Sequence, residues 1–139
     1  MDVAFAQKLY IIESRKEGEV AIMLIQFNFK NFKSFRDEAT LDLSASKMTE
    51  FSDRVVTVGS EKILPVAAIY GANASGKSSL IKAIRACVGM IFSSHNYNEN
   101  TIFAFTPFKF GGIGKPSTFF IRFLLEGIEY EYSFELNKV

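Results

Sequence analysis

Residues 67–84, "AAIYGANASGKSSLIKAI", constrain this chain more than any other stretch. Gly71, Ala72, Asn73, Ala74, Ser75, Gly76, Lys77 and Ser78 spell G-x-x-x-x-G-K-S, the spacing of a phosphate-binding P-loop. Glycine lets the backbone turn through dihedrals that other residues avoid, so successive N–H groups can converge on phosphate oxygens. In this reading Lys77 reaches the β- and γ-phosphates of ATP, Ser78 offers its hydroxyl to Mg²⁺, and Ser79 enters a helix whose N-terminus adds partial positive charge. A chance match would arise on the order of once in two hundred chains of this length. The flanks lower it further: "ILPVAAIY" (63–70) predicts a short buried strand and "KSSLIKAIRACVGMIF" (77–92) predicts a helix. Leu80, Ile81, Ile84, Cys87, Val88 and Ile91 leave only a narrow Lys82, Arg85, Gly89 face polar, which suits a helix buried against a sheet.

Composition sets broad bounds. A chain of 139 residues with 48% hydrophobic and 22% charged positions can bury one real core. A net charge of +1 supplies no global attraction to nucleic acid or anionic membrane, so any such contact needs a local patch. The single cysteine, Cys87, cannot form an internal disulfide and reads as a small core residue in a reduced compartment. His95, alone in the polar "SSHNYNEN", reads as a solvated surface histidine, and no metal-ligating cluster is visible. No apolar run approaches the ~20 residues that span a bilayer, so the expectation is a soluble, cytoplasmic protein without a membrane partner.

Along the chain, residues 1–22 differ in character from the remainder and predict an extension without a fold of its own, with a short helix through "VAFAQKLYII" as the alternative. A domain is expected over 23–139. "MLIQFNFKNF" alternates Ile25, Phe27 and Phe29 against Gln26, Asn28 and Lys30, the period of a half-buried strand. "ATLDLSAS" (39–46) and "RVVTV" (54–58) predict two more, as do "FAFTPFKF", "STFFIRFLLEG" and "IEYEYSFEL" after the helix. "LLEGIEYEY" predicts a tight hairpin with Ile128, Tyr130, Tyr132 and Phe134 on an apolar face and Glu129, Glu131, Ser133 and Glu135 on a polar one. The predicted fold class is α/β: half of a P-loop NTPase core, strand–P-loop–helix, beside a mixed, antiparallel-rich β-lobe, truncated before the rest of the core.

The order "IQFNFKNFKSF", "ATLDLSAS", "VAAIYGANASGKSSLIKAI" resembles the N-terminal half of ABC-like ATPases of the SMC, RecF and OLD group. It is most similar to the AAA-annotated, RloA-like bacterial ATPases linked to restriction and phage-defence loci. "TPFKF" and "FFIRFLLEGIEYEYSFEL" resemble the β-lobe that those proteins place after the P-loop helix. The resemblance implies ATP and Mg²⁺ as cofactors, a head-to-head homodimer around ATP, and a nuclease or other effector as partner. It also implies that the turn "KNFKSFR" (30–36) brings Lys33, Ser34 and Arg36 to the nucleotide. Read from residues alone, that turn is also compatible with a solvated surface turn or, after that, a nucleic-acid backbone contact.

Hydrolysis in this class also needs an acidic pair on a strand, a glutamine near the metal and a signature loop from a second head. The chain has no aspartate after Asp53 and no glutamine after Gln26. "FGGIGKPS" (110–117) lacks the leading Leu-Ser of a signature loop and has proline where a second P-loop needs Ser or Thr, so it reads as a glycine-rich hairpin turn. The expectation is therefore an N-terminal fragment of an ATPase, lacking its C-terminal half and unable to turn over alone. A non-hydrolysing binding or partner-docking module and an inactive gene remnant are the competing readings.

Overall fold

The computed structural model describes residues 7–9, 22–45, 52–96 and 105–137. Its elements are β1 (Gln7–Leu9), β2 (Ile22–Lys30), β3 (Ala39–Asp42), β4 (Val56–Val58), β5 (Glu61–Ile63), β6 (Ala67–Ile69), α1 (Lys77–Ser93), β7 (Ser117–Leu125) and β8 (Ile128–Leu136). A four-stranded sheet, ordered β3-β2-β7-β8, forms the frame, and β4-β5 and β1-β6 make two separate pairs.

The frame follows from alternation. Phe27 and Phe29 on β2 stand opposite Ile121 and Phe119 on β7, which in turn face Tyr132 and Phe134 on β8. Phe27, Phe29 and Phe119 are fully buried, and burying a side chain of this size contributes roughly 1.5–3 kcal/mol. Their rings interlock: Phe27 stacks on Phe29 at 5.5 Å and Phe119 on Phe134 at 5.0 Å. The opposite face is polar, with Gln26 bonded to Asn28 at 3.0 Å. A register shift between Leu24 and Gln26 leaves Ile25 as the extra residue of a bulge, and its carbonyl accepts the Leu43 N–H at 2.8 Å. The β7–β8 hairpin closes through Glu126 and Gly127, at φ 52° and 80°. Positive φ at both positions is the sign pattern of a two-residue type I′ turn, so the predicted tight hairpin is present.

Helix α1 lies against β7 and contributes Ala83, Ile84 and Cys87 to the core cluster that holds Phe27, Phe29, Phe119 and Ile121. Its buried stripe is Ala83, Ile84, Cys87 and Met90, the i, i+1, i+4, i+7 spacing of one helical face. The predicted wider burial is corrected: Val88 is exposed and Leu80, Ile81 and Ile91 are only half-buried, because a single sheet face covers a single stripe, and Phe92 beyond them is exposed as well.

Other expectations are corrected as well. The predicted strand 63–70 is split: Leu64–Val66 separates β5 from β6, since Pro65 removes a ladder donor. Nor is the run buried: Ala67 and Ile69 of β6 are half-buried, Ala68 is exposed, and the flanking Val66 and Tyr70 are 41% and 71% exposed. The sheet is not mixed, since every pairing among the described strands is antiparallel and β6 pairs with β1 alone. Among the described residues of "ATLDLSAS", which end at Ala45, the strand covers Ala39–Asp42 and is joined further on to β5 by a Ser44–Ile63 bridge. "RVVTV" begins as a 3₁₀ turn at Ser52–Arg54 and becomes a strand at Val56. Residues 105–110 of "FAFTPFKF" form no strand, because Pro107 interrupts them and their polar groups bond to the turn after β2. The apolar face of β8 is only half covered: Tyr132 and Phe134 pack on the core, whereas Ile128 and Tyr130 are 57% and 42% exposed.

Gln7–Leu9, inside the segment predicted as an extension or short helix, form a strand that pairs antiparallel with β6. Ile22, the last residue of that segment, opens β2, and residues 1–6 and 10–21 lie outside the described residues, as do residues 97–100 of the predicted polar loop. No described helix is long and apolar enough to cross a membrane.

Candidate functional site

The G-x-x-x-x-G-K-S loop runs from the end of β6 into α1, the strand-to-helix context the spacing requires. Left-handed φ values fall at Ala74 (62°) and Gly76 (100°), on either side of Ser75. Alternation of this kind makes successive N–H groups converge on one anion. A Cβ at Gly71 would lie 2.6 Å from Ser75 Oγ, so glycine there lets the loop close without turning that side chain aside. Gly76 is the N-cap of α1 and supplies no side-chain cap, and the first turn contains no acidic residue. The opening N–H groups of a helix lack intrahelical acceptors, so those of Lys77 and Ser78 are placed to receive an anion. Lys77 folds back across the loop, with Nζ 2.7 Å from Gly71 O, 2.6 Å from Ala72 O and 3.5 Å from Ser75 Oγ. Gly71–Ser75 and Ser78 are exposed, while Gly76, Lys77 and Ser79 are half-buried.

The turn after β2 comes to the same place. Phe32 and Phe35 exchange both backbone hydrogen bonds at 2.9 Å, which closes Lys33 and Ser34 into a two-residue turn. Lys33 has φ 51°, a left-handed value at the position where such turns favour glycine. The Phe35 ring packs on Phe29 at 4.9 Å and also meets Gly76: a Cβ there would fall 3.0 Å from the ring and 3.2 Å from Ser34 Oγ. Ser34 is thus brought against the loop. Lys33 instead holds its ammonium 5.5 Å from the Phe32 ring centroid, and Arg36 is ion-paired to Asp37 at 3.1 Å in solvent.

Sequence reasoning named Lys33, Ser34 and Arg36 within this turn and passed over Phe35 and Asn31, which place it. Asn31 is 4% exposed at φ 53°. An asparagine at the end of a strand pattern, before an aromatic turn, was the available signal, since Asn tolerates left-handed backbone.

The carboxylates of β8 do not join the loop. Glu131 stands opposite Arg122, on the sheet face away from Ile121 and α1. On that face Arg122 Nε approaches Glu129 Oε1 at 2.6 Å, and an Nη of Arg122 approaches Glu61 at 3.5 Å. The Ser44 N–H, 2.8 Å away, and the Ser44 hydroxyl hold the Asp42 carboxyl below its usual 3.8, and Arg122 adds to this. A carboxylate held anionic in this way is a structural partner and a poor base. A depression of about 640 Å³ lies on the same polar face, lined by Gln26, Asn28, Thr118, Phe120, Ser133 and Glu135. It is separate from the G-x-x-x-x-G-K-S loop, whose capacity for an anion lies in backbone geometry and not in a cavity. Glu99, which follows the helix, is outside the described residues.

An antiparallel sheet backed by one helix, with a glycine-bounded loop and lysine at the helix start, is consistent with an α/β domain of P-loop ATPase-like type. The family described as "AAA domain, putative AbiEii toxin, Type IV TA system" matches residues 66–139, more than half of the chain, and the chain belongs to it. Membership carries nucleotide binding in general terms. No curated protein and no solved structure matches the chain.

Proposed function

We propose that the chain binds Mg·ATP through Gly71–Ser79 and is the N-terminal part of an ABC-like ATPase of the SMC/RecF/OLD type, nearest the RloA-like proteins. The observation that carries this reading is Lys77 folded across a loop with left-handed turns at Ala74 and Gly76 that opens into an uncapped helix start, a backbone suited to an anion. A phosphate would take the place of the Gly71 and Ala72 carbonyls as the partner of the Lys77 ammonium. The residues present fit such a ligand: Gly76 leaves the helix start open, the first turn carries no acid, and the Ser78 hydroxyl is free to face the metal. Bound Mg²⁺ supplies charge neutralisation of the phosphates. Ser34 is the second-tier group already beside the loop, and Lys33 and Arg36 reach the nucleotide only by leaving Phe32 and Asp37.

In the complete ATPase, the head would comprise 23–139 and a C-terminal half, pair head to head around ATP, and gate a nuclease or other defence effector. The 139-residue chain alone should bind without turnover, because the β8 carboxylates occupy the far sheet face. Mg·ATP titration of the parent and Lys77→Ala chains tests the binding reading: equal affinity would remove it. A Lys77-dependent phosphate release would remove the second part, placing a catalytic base within this chain.

A further inference from the structure

The turn that meets Gly76 is held from the other side by one buried side chain. Asn31 Nδ2 donates to the carbonyls of Gly112 and Lys115 at 2.9 Å and of Pro116 at 3.2 Å, and its Oδ1 accepts the Phe108 N–H at 3.1 Å. Its own carbonyl accepts the Ser117 hydroxyl. Segment 105–116 has no strand ladder, so one amide supplies much of the satisfaction that a ladder would give its backbone. The fit is close: a Cβ at Gly112 would sit 2.0 Å from Asn31 Oδ1 and 2.5 Å from the Phe108 carbonyl. Two residues on, the Lys33 N–H donates to Thr106 O at 2.8 Å, a second tie between the same two segments. A continuous chain of contacts therefore runs from 105–117 through Asn31 to the Phe32–Phe35 turn, and from Phe35 and Ser34 to Gly76.

The geometry points to Asn31 as a positioning residue: by clamping the 105–116 segment to the turn, it sets how Ser34 and Phe35 press on Gly76, and so tunes the affinity of the loop for a nucleoside triphosphate. It touches no ligand itself. The affinity statement rests on the Mg·ATP reading above, whereas the mechanical coupling does not.

Amide hydrogen exchange on the full chain tests the coupling without nucleotide. Asn31→Gly removes the side chain and keeps the left-handed φ accessible. Ser117→Ala, a milder change, removes only the bond to the Asn31 carbonyl and serves if the first variant does not fold. Exchange should quicken about tenfold at 105–117 and at the Ser75, Ser79 and Leu80 amides, which bond to Ala72 O and Gly76 O, in keeping with loss of a buried hydrogen bond. The amides of 83–91 in α1 and of 128–136 in β8 should keep their parent rates. Opening confined to 105–117 would overturn the inference, as would uniform acceleration of every segment, the mark of general destabilisation.

Mg·ATP titration is the second arm. Affinity should fall about tenfold in Asn31→Gly and less in Ser117→Ala, against its loss in Lys77→Ala. Parent-like affinity in both variants beside a Lys77-dependent parent overturns the inference and leaves the nucleotide reading standing. A parent that binds no Mg·ATP overturns the nucleotide reading, and the exchange rates then decide the coupling by themselves.

Discussion

The four-stranded sheet and the β6–loop–α1 unit are built on different terms. Strands β2, β7 and β8 are nine residues each, share long registers and bury interlocked phenylalanines. Strand β6 has three residues, pairs among the described strands with β1 alone, and leads into a loop exposed from Gly71 to Ser75. The loop is held from outside, by the docked stripe of α1 and by Phe35 on Gly76. Stability therefore resides in the frame and ligand capacity in the unit leaning on it, so substitutions should separate the two.

The largest separation is expected between Phe27→Ala and Lys77→Ala. Phe27 is 0% exposed, and its truncation should cost about 3–5 kcal/mol, read as a fall in the denaturation midpoint. Lys77→Ala should leave that midpoint unmoved, since Nζ bonds only within an exposed loop; a comparable fall in both would erase the distinction.

Cys87 reports whether α1 is docked. It is 0% exposed on the helix stripe, and burial pushes its thiol from 9.0 to about 12. Thiol reagents at pH 8 should label it only as fast as the domain opens, and labelling at the rate of a free thiol would show the helix undocked. The folded state holds the thiol neutral, so this contribution to stability is intact below pH 9 and is lost as pH rises towards about 12.

A change at Gly76 should straddle the two regions. Alanine there meets a φ of 100° and the Phe35 ring at 3.0 Å, so a loss of about 1–2 kcal/mol is expected, together with weaker Mg·ATP binding. An unchanged melting temperature would mean that the turn does not brace the loop. Lys33→Gly should do the opposite in small measure, raising stability by up to about 1 kcal/mol as the left-handed strain is relieved. The smallest effect belongs to Arg36→Ala: its ion pair has side chains 68% and 76% exposed, and the melting temperature should stay within error. A clear drop would show that Arg36 bears on the frame after all.

Much of this was legible locally. The period-two alternation of Phe27 and Phe29, the turn pair Glu126–Gly127 and the G-x-x-x-x-G-K-S spacing each encode their own geometry within a few residues. Side-chain facing and left-handed turns depend on neighbours along the chain, and at that range the residues themselves set strand, hairpin, loop and helix. Which of those elements pair and how deeply they bury depended on residues far apart in sequence. Pro65 divided an apolar run that reads as one strand, and the apolar rim at Val88 and Phe92 stayed in solvent because one sheet face covers one helix stripe. The carboxylates of β8 were set on the far face by cross-strand register with Arg122. Asn31 shows the difference most directly: nothing in "KNFKSFR" reveals that its amide will meet the carbonyls of Gly112 and Lys115, 81 and 84 residues later, yet that meeting places Ser34 beside the loop. A side-chain hydrogen bond across such a separation exists only once the sheet has brought its ends together, so it belongs to the folded chain and not to any local stretch of it.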